Sequence, residues 1–272
     1  MTDAPNLRPD AFVGTAQAYA RFRPPYPAAF LAELLREAQL GPGGRLLDLA
    51  TGPGRVALDL AGAFEQVMAQ DLEPEMIAVA RAAAERRGIH NVAWSVGPAE
   101  TFEAPASHFD LITVGEAFHR LDQAAIARKA RGWLKPGGCF ATMGGGAVLG
   151  AGPPWLAAAN EVRLRWTAKA FPDGPAQARA GVEPGLAAAI RVMESAGFTL
   201  VADRTVAQQH AWSFEALLGF MHSTSVASKR VLGEDADAFA DDLKIALAPF
   251  TDADGLLHEE INWGYTLFRS PG

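Results

Sequence analysis

The chain has 272 residues, 49% of them hydrophobic, enough to build a full-sized core in one large α/β domain or in a domain with a substantial insertion. Its formal net charge is -7 and its pI about 5.4, so phosphate backbones offer it no electrostatic attraction and nucleic acid is not an expected partner. A single cysteine, Cys139, excludes an internal disulfide framework and a cysteine-based zinc site; no apolar stretch reaches the roughly 20 residues of a membrane-spanning helix, and the N-terminus lacks a basic region followed by an apolar run, so the expectation is a cytoplasmic protein with no membrane partner.

Residues 1–11 read as a loose tail. Residues 12–27 carry Tyr19, Arg21, Phe22, Arg23 and the run Pro24-Pro25-Tyr26-Pro27, whose prolines stop any helix begun before them. Two readings fit this segment: the edge of a lid over a ligand, or a solvated connector. Residues 28–40 read as a helix with Leu31, Leu34, Leu35 and Ala38 on one face, ended by Gly41-Pro42-Gly43-Gly44.

The stretch 45–61, RLLDLATGPGRVALDLA, organises the chain. Leu46, Leu47, Asp48 and Leu49 are short and apolar enough for a buried strand. Ala50-Thr51-Gly52-Pro53-Gly54 break it, and Val56, Leu58, Leu60 and Ala61 resume at helical spacing. Such a turn brings backbone N–H groups close to a ligand, because Gly52 and Gly54 have no Cβ, and the helix start behind it favours negative charge. The same pattern also serves simply to fold the chain.

Residues 67–70 form a second strand with Asp71 at its end, and a helix runs over 74–87 with Met76, Ile77, Val79 and Ala80, closed by Gly88. Asp71 falls about 20 residues beyond the turn, where a nucleotide-binding βαβ unit places an acid on the ribose hydroxyls. The alternative is an ordinary cap on the following helix. Residues 91–96 and 109–114 are the third and fourth strands, followed by Gly97-Pro98-Ala99-Glu100 and by Gly115-Glu116-Ala117-Phe118-His119. A helix over 123–134 and the turn Lys135-Pro136-Gly137-Gly138 lead to a fifth strand at 139–143. This alternation predicts a parallel sheet with helices on both faces and ligands outside the C-terminal strand ends. One crevice would then gather Gly52, Asp71, Ala99 and His119.

The second half is patterned differently. Gly144-Gly145-Gly146 lead to a helix with Trp155, Leu156, Val162, Leu164 and Trp166, and 171–185 read as a mobile loop. A helix over 186–196, a strand over 198–207, a helix capped by Ser213, an amphipathic helix over 235–250 and a strand over 261–268 follow. The expected fold is α/β: a Rossmann-like, doubly wound, mostly parallel seven-stranded sheet with a helical lid insertion. Its parts are an N-terminal lid segment (1–27), a Rossmann-like core (28–145), a helical lid insertion (146–197), and C-terminal strands with inserted substrate-facing helices (198–272).

Four motifs fall in order: LLDLATGPG; VMAQDLEPEMIAVAR; VGPAETF; and FDLITVGEAFHRLD followed by WLKPGG. Together they resemble the class I S-adenosylmethionine-dependent methyltransferases, and most nearly the small-molecule group that includes trans-aconitate methyltransferase-like proteins. The likeness covers 12–145, the YARFRPPYP stretch included, and thins over 146–260. It implies S-adenosylmethionine as cofactor, with S-adenosylhomocysteine as product. It implies that Asp48, Ala50, Gly52 and Gly54 surround the methionine moiety and that Asp71 holds the ribose. Leu72 and Met76 would flank the adenine, with Ala99 and Glu100 at its edge. Gly115 and Glu116 would line the reactive end, and Tyr19 and Arg23 would close over the cofactor. Many members carry an acid where this chain has Pro98, which leaves the adenine amide contact to the backbone at Ala99.

The fold alone does not fix the reaction. A nicotinamide-dependent dehydrogenase also uses a βαβ crevice, and G-P-G-R-V-A has alanine at the third glycine position, a permitted substitute. Asp48 before the turn, GEAFHRLD and LKPGG favour the methyltransferase. An S-adenosylmethionine-binding protein without catalysis and a scaffolding partner are the remaining alternatives. The expected partner is a small-molecule acceptor, methylated on a hydroxyl, with carboxyl or N-methylation as alternatives, by a monomer or homodimer.

His119 is the candidate base, since it follows a strand end and its ordinary pKa lies near 6.5. Equally, it packs against the cofactor or donates to a backbone carbonyl. Trp155, His222 and Ser223 are candidate substrate contacts, although a helix-end cap explains His222 as well. Trp155, Trp166, Phe171, Trp212, Phe214 and Phe220 suit an apolar acceptor pocket or, more commonly, a helical core. Arg163, Arg165, Arg179 and Arg191 are available to an anionic acceptor, but nothing in the sequence places them together, which favours a largely apolar one. The histidines lack metal-ligand spacing, so no metal is expected.

Overall fold

A computed structural model of the protein describes residues 10–41, 43–145, 152–168, 170–171 and 186–272. Two helices, α1 (Ala16–Phe22) and α2 (Ala28–Ala38), lead into β1 (Gly44–Leu49). Then α3 (Arg55–Leu60), β2 (Phe64–Asp71), α4 (Pro74–Arg86), β3 (Val92–Val96), β4 (Phe109–Gly115), α5 (Gln123–Trp133) and β5 (Leu134–Gly144) follow. The rest comprises α6 (Pro154–Thr167), α7 (Leu186–Ser195), β6 (Thr199–Trp212), α8 (Phe214–His222), the short α9 (Lys229–Leu232), α10 (Ala236–Leu247) and β7 (Leu257–Arg269).

The strands form a seven-stranded sheet in the order β3-β2-β1-β4-β5-β7-β6. β1 pairs in parallel with both β2 and β4, as do β2 with β3 and β4 with β5, whereas β7 runs antiparallel to β5. The order turns outward in both directions from β1 and β4. That is a topological switch point, the place where open α/β sheets leave a crevice at their C-terminal strand ends.

The chain divides into two compact units. The sheet unit comprises Pro25–Gly144, Val182–Val206 and Trp263–Gly272. Its central strands are apolar on both faces, as expected of parallel strands covered by helices. Leu47, Leu49, Ile112, Val114 and Phe140 are buried there with Phe118, Ile126, Trp133 and Phe268. Each fully buried side chain of this size contributes on the order of 1.5–3 kcal/mol. Cys139 is fully buried in β5, its Sγ 3.8 Å from the Ala38 carbonyl oxygen, and burial pushes its thiol pKa up.

The helical unit comprises Met1–Pro24, Gly145–Gly181 and Ala207–Asn262. Trp155, Val162, Trp212, Phe220, Phe239 and Leu243 form its core. α1 packs on α8 through a notch: a Cβ at Gly219 would fall inside the Phe22 ring. Ser213 caps α8 by accepting from the Ala216 N–H. Among the described residues, no helix is long and apolar enough to cross a membrane.

Two differences from the sequence reading stand out. α1 is a helix where the sequence showed a connector or lid edge, because its proline run begins only after it ends. β6 and β7 are longer than expected, since the polar run Gln208-Gln209-His210 is tolerated on a strand exposed over most of its length, where Gln209 also bonds Glu260 at 3.0 Å. The expected loop over 171–185 lies, apart from Phe171, outside the described residues, as do Gly146 and Arg179.

Candidate functional site

β1 delivers Asp48 almost fully buried beside the glycine turn. Its two oxygens accept from the hydroxyls of Thr51 at 2.5 Å and Thr113 at 2.7 Å. Thr113 is also its register partner on β4. Burial pushes the Asp48 carboxyl up to about 6, against the lowering effect of these hydroxyls and of the Ala57 N–H. One carboxylate thus ties together β4, the turn and the first turn of α3.

A second carboxylate grips the other side of the turn. Asp71 accepts the Gly52 N–H at 2.7 Å on one oxygen and the Glu73 N–H at 2.9 Å on the other. Burial raises its pKa, opposed by the N–H groups of Glu73, Gly52 and Leu72. Asp71 therefore meets the cap-like reading through Glu73 and also orients the turn, and its three N–H donors leave one of the carboxylate's four lone pairs for a further donor.

The two turn glycines differ. Gly52 has φ +57° and open space where a Cβ would project, so the turn presents bare backbone to a vacant volume. Gly54 has φ +81° and no such room: a Cβ would meet Trp94 at 2.9 Å and Ala80 at 3.0 Å. Ala50 follows β1 at φ 52° and Glu116 follows β4 at φ 58°, both left-handed without being glycine. Such strain costs about 1–3 kcal/mol per residue and clusters at functional sites. Here it marks the C-terminal ends of the two strands that flank the switch point.

The other strand ends complete the sheet unit's site. Leu72 is exposed after β2, and Val96, exposed at the end of β3, pairs in register with Asp71. Ala99 and Met76 are buried. The Glu100 carboxylate accepts the Asp122 N–H at 3.1 Å, at the start of α5. A Cβ on Gly115 would lie 3.1 Å from the Tyr26 hydroxyl, and Glu116 donates its N–H to Met143. Tyr26 itself is fixed by Phe30, Trp263 and the Arg55 guanidinium. His119 is exposed on the single 3₁₀ turn Phe118–Arg120, which Phe118 anchors against Phe140.

The remaining expected site residues lie in the helical unit. Arg23 stacks between the rings of Tyr19 and Phe220, and its Nε donates to Ser223 Oγ at 2.9 Å. His222 is buried, which lowers its pKa, and its Nδ1 donates to the Ala227 carbonyl at 3.1 Å. Trp155 is buried, with its indole N–H on the His258 carbonyl at 2.8 Å. Trp212 is buried as well and donates to Glu259 at 2.7 Å. Of the expected arginines, Arg165 pairs with Asp242 and Arg163 donates to Asn160.

Thr51, Thr113, Tyr26 and Val96 were not singled out by the sequence. The threonine in the apolar run FDLITV is the signal that was available: a buried hydroxyl requires a partner. Among the described residues, no group of three or more His, Cys, Asp or Glu side chains is placed to hold a metal ion.

Residues 46–138 match a family model described as "Methyltransferase domain". The chain is 31% identical over 111 residues to the uncharacterized methyltransferase YcgJ of Bacillus subtilis, covering 40% of this chain and 44% of that protein. It is 35% identical over 102 residues to the ubiquinone/menaquinone biosynthesis C-methyltransferase UbiE of Shewanella frigidimarina, covering 36% and 41% respectively. The chain thus spans less than half the length of these two relatives. Its fold is similar to that of phosphoethanolamine N-methyltransferase 2 of Haemonchus contortus, solved with phosphomonomethylethanolamine and S-adenosylhomocysteine, at a TM-score of 0.59 and 20% identity over 100% of this chain and 61% of that one. Residues 46–138 are thus similar to a methyltransferase domain, on a fold shared with solved methyltransferases.

Proposed function

We propose that the protein transfers a methyl group from S-adenosylmethionine to a hydroxyl of a small organic acceptor. The observation that carries this reading is the Gly52 turn, bare on its open side and held from behind by Asp71. The open space beside Gly52 and the paired carboxylates Asp48 and Asp71 suit an amino-acid nucleoside. Ala50, Gly52, Gly54 and Asp48 would hold the methionine end, Asp71 the ribose, and Leu72, Met76, Ala99 and Glu100 the adenine. Gly115 and Glu116 would line the reactive end. When bound, S-adenosylmethionine supplies a sulfonium methyl, an electrophile that an acceptor oxygen displaces in line, leaving S-adenosylhomocysteine.

The chain's own residues then position the acceptor and move one proton. A ring nitrogen of His119 takes the proton from the acceptor hydroxyl as the new O–CH3 bond forms. Burial keeps both Asp48 and Asp71 in fixed hydrogen-bonded geometry, so the turn needs no rearrangement to receive the donor.

Calorimetric titration of the purified chain with S-adenosylmethionine, S-adenosylhomocysteine, NADH and NADPH tests the reading. Binding of the two sulfur nucleotides and of neither dinucleotide is expected. Binding of NADH or NADPH without them would overturn it and assign the crevice to hydride transfer.

A further inference from the structure

β6 is the last strand of the sheet, next to β7. An edge strand offers a row of backbone N–H and C=O groups to any other strand, and proteins commonly guard it with lysine, proline, a short length or a covering element. β6 runs for 14 residues and contains neither proline nor lysine. Its first part, up to Val206, belongs to the sheet unit. There Leu200 and Val201 point to opposite faces by the pleat, yet they are 38% and 39% exposed, so apolar surface lies open on both sides of the edge. Outside the strand ladder, no hydrogen bond among the described residues involves the backbone of 199–202.

The two charges of this stretch are turned onto the chain itself. Glu37 of α2 accepts from Arg204 Nε at 3.0 Å and from its Nη2 at 2.7 Å. Asp203 accepts the Thr266 hydroxyl of β7 at 3.2 Å. Arg204 Nη1 also donates to the Asp203 carbonyl at 3.3 Å, which ends the open stretch there. The unguarded edge is therefore the start of β6, apolar in its side chains and unsaturated in its backbone.

We propose that this edge pairs antiparallel with β6 of a second copy, forming a two-fold dimer. The axis that relates two antiparallel edge strands stands perpendicular to the sheet, so each face meets its like and one residue lies opposite itself. The charges select that residue. Centring on Asp203 or Arg204 sets like charges opposite each other. Centring on Ala202 sets Asp203 against Val201 and Arg204 against Leu200. Centring on Leu200 pairs only 199–201 of the strand. Centring on Val201 pairs 199–203, with Val201 on Val201, Leu200 on Ala202 and the Thr199 hydroxyl beside the Asp203 carboxylate. This self-complementary register is what commits the edge to a second copy. The strip is short against the roughly 800 Å² per partner of a standard interface, which makes the dimer weak and concentration-dependent. The inference is independent of the methyltransferase reading.

Sedimentation of the full chain over a concentration series reads the association, and an introduced cysteine reads the register. Wild type is expected as a monomer–dimer equilibrium. Val201→Lys sets two ammonium groups opposite each other at the axis and should weaken the dimer about tenfold or more, with the melting temperature unchanged. Ile245→Lys, at an exposed apolar site on α10, should leave the dimer as it is. Val201→Cys meets its own copy across the axis, where opposite Cβ atoms stand about 5 Å apart, and should cross-link on mild oxidation. Cys139 is buried and takes no part. Thr205→Cys, away from the axis, should not cross-link. A wild type that stays monomeric up to roughly 200 µM would overturn the proposal. So would a dimer that survives Val201→Lys, assembly beyond two copies, or a Thr205→Cys chain that cross-links as readily as Val201→Cys. If Val201→Lys melts early, the two cysteine variants decide alone.

Discussion

Asp71 accepts the backbone N–H of Gly52 at 2.7 Å, linking the end of β2 to the turn that follows β1. The carboxylate is thus part of the turn's architecture before any ribose is considered. Asp71→Ala leaves the Gly52 and Glu73 N–H groups without acceptors. Hydrogen bonds to a charged group contribute about 1.5–3 kcal/mol each. S-adenosylhomocysteine affinity should fall on the order of 10²-fold or more, with a smaller loss for Asp71→Asn; calorimetry of the two variants checks the order.

The turn glycines should separate folding from binding. Gly54→Ala drives a methyl into Trp94 and Ala80 and should lower the melting temperature. Gly52→Ala meets no protein atom, so beyond about 1 kcal/mol of backbone strain it should fold as wild type. Its methyl occupies the volume proposed for the donor, and its main effect should be lost affinity. Parallel thermal melts and titrations of the two variants distinguish the cases.

Asp48 makes stability depend on pH in a definite direction. Its carboxyl moves from an ordinary 3.8 to about 6 in the folded chain, so between these values the folded state holds the proton that the unfolded state has released. Stability therefore falls as pH rises through that window, by about 3 kcal/mol in all, and the raised pKa of Asp71 acts with the same sign. Asp48→Asn should flatten the slope in denaturant titrations between pH 4 and 6.

Trp212→Phe should leave the Glu259 carboxylate buried without its indole donor. The expected cost is about 1–3 kcal/mol, from the desolvated acceptor. The Glu259 pKa, already raised by burial, should rise further, so the variant's deficit should grow with pH. Chemical denaturation at two pH values tests both parts.

His119→Ala separates acceptor chemistries. With a hydroxyl acceptor, turnover should drop about 10²-fold or more. A variant that turns over a hydroxyl acceptor almost as fast as wild type would remove His119 from the base role.

The sheet unit was largely legible because backbone geometry dictates residue type there. A tight turn that passes through a left-handed backbone at φ +57° calls for Gly52, and the strand beside it ends in Asp71. What the sequence hid was register: Thr113 faces Asp48 only because β1 and β4 pair as they do. The helical unit was less legible. Aromatic residues at helical spacing look alike whether they pack or bind, and Trp155 and Trp212 proved to be core residues whose indoles are tied to His258 and Glu259. Arg23 and Ser223 lie 200 positions apart, a distance over which no local pattern operates.

The chain's lone cysteine follows from β5 as a chemical clock. Cys139 is sealed between neighbouring strands and the end of α2, and its thiol resists ionisation. An alkylating reagent reaches it only when that part of the sheet opens, so the rate of covalent labelling measures opening with no engineered probe. A ligand that binds only the closed sheet slows the clock by one plus the ratio of free ligand to its Kd, which turns a one-cysteine chain into its own screen for donors and acceptors.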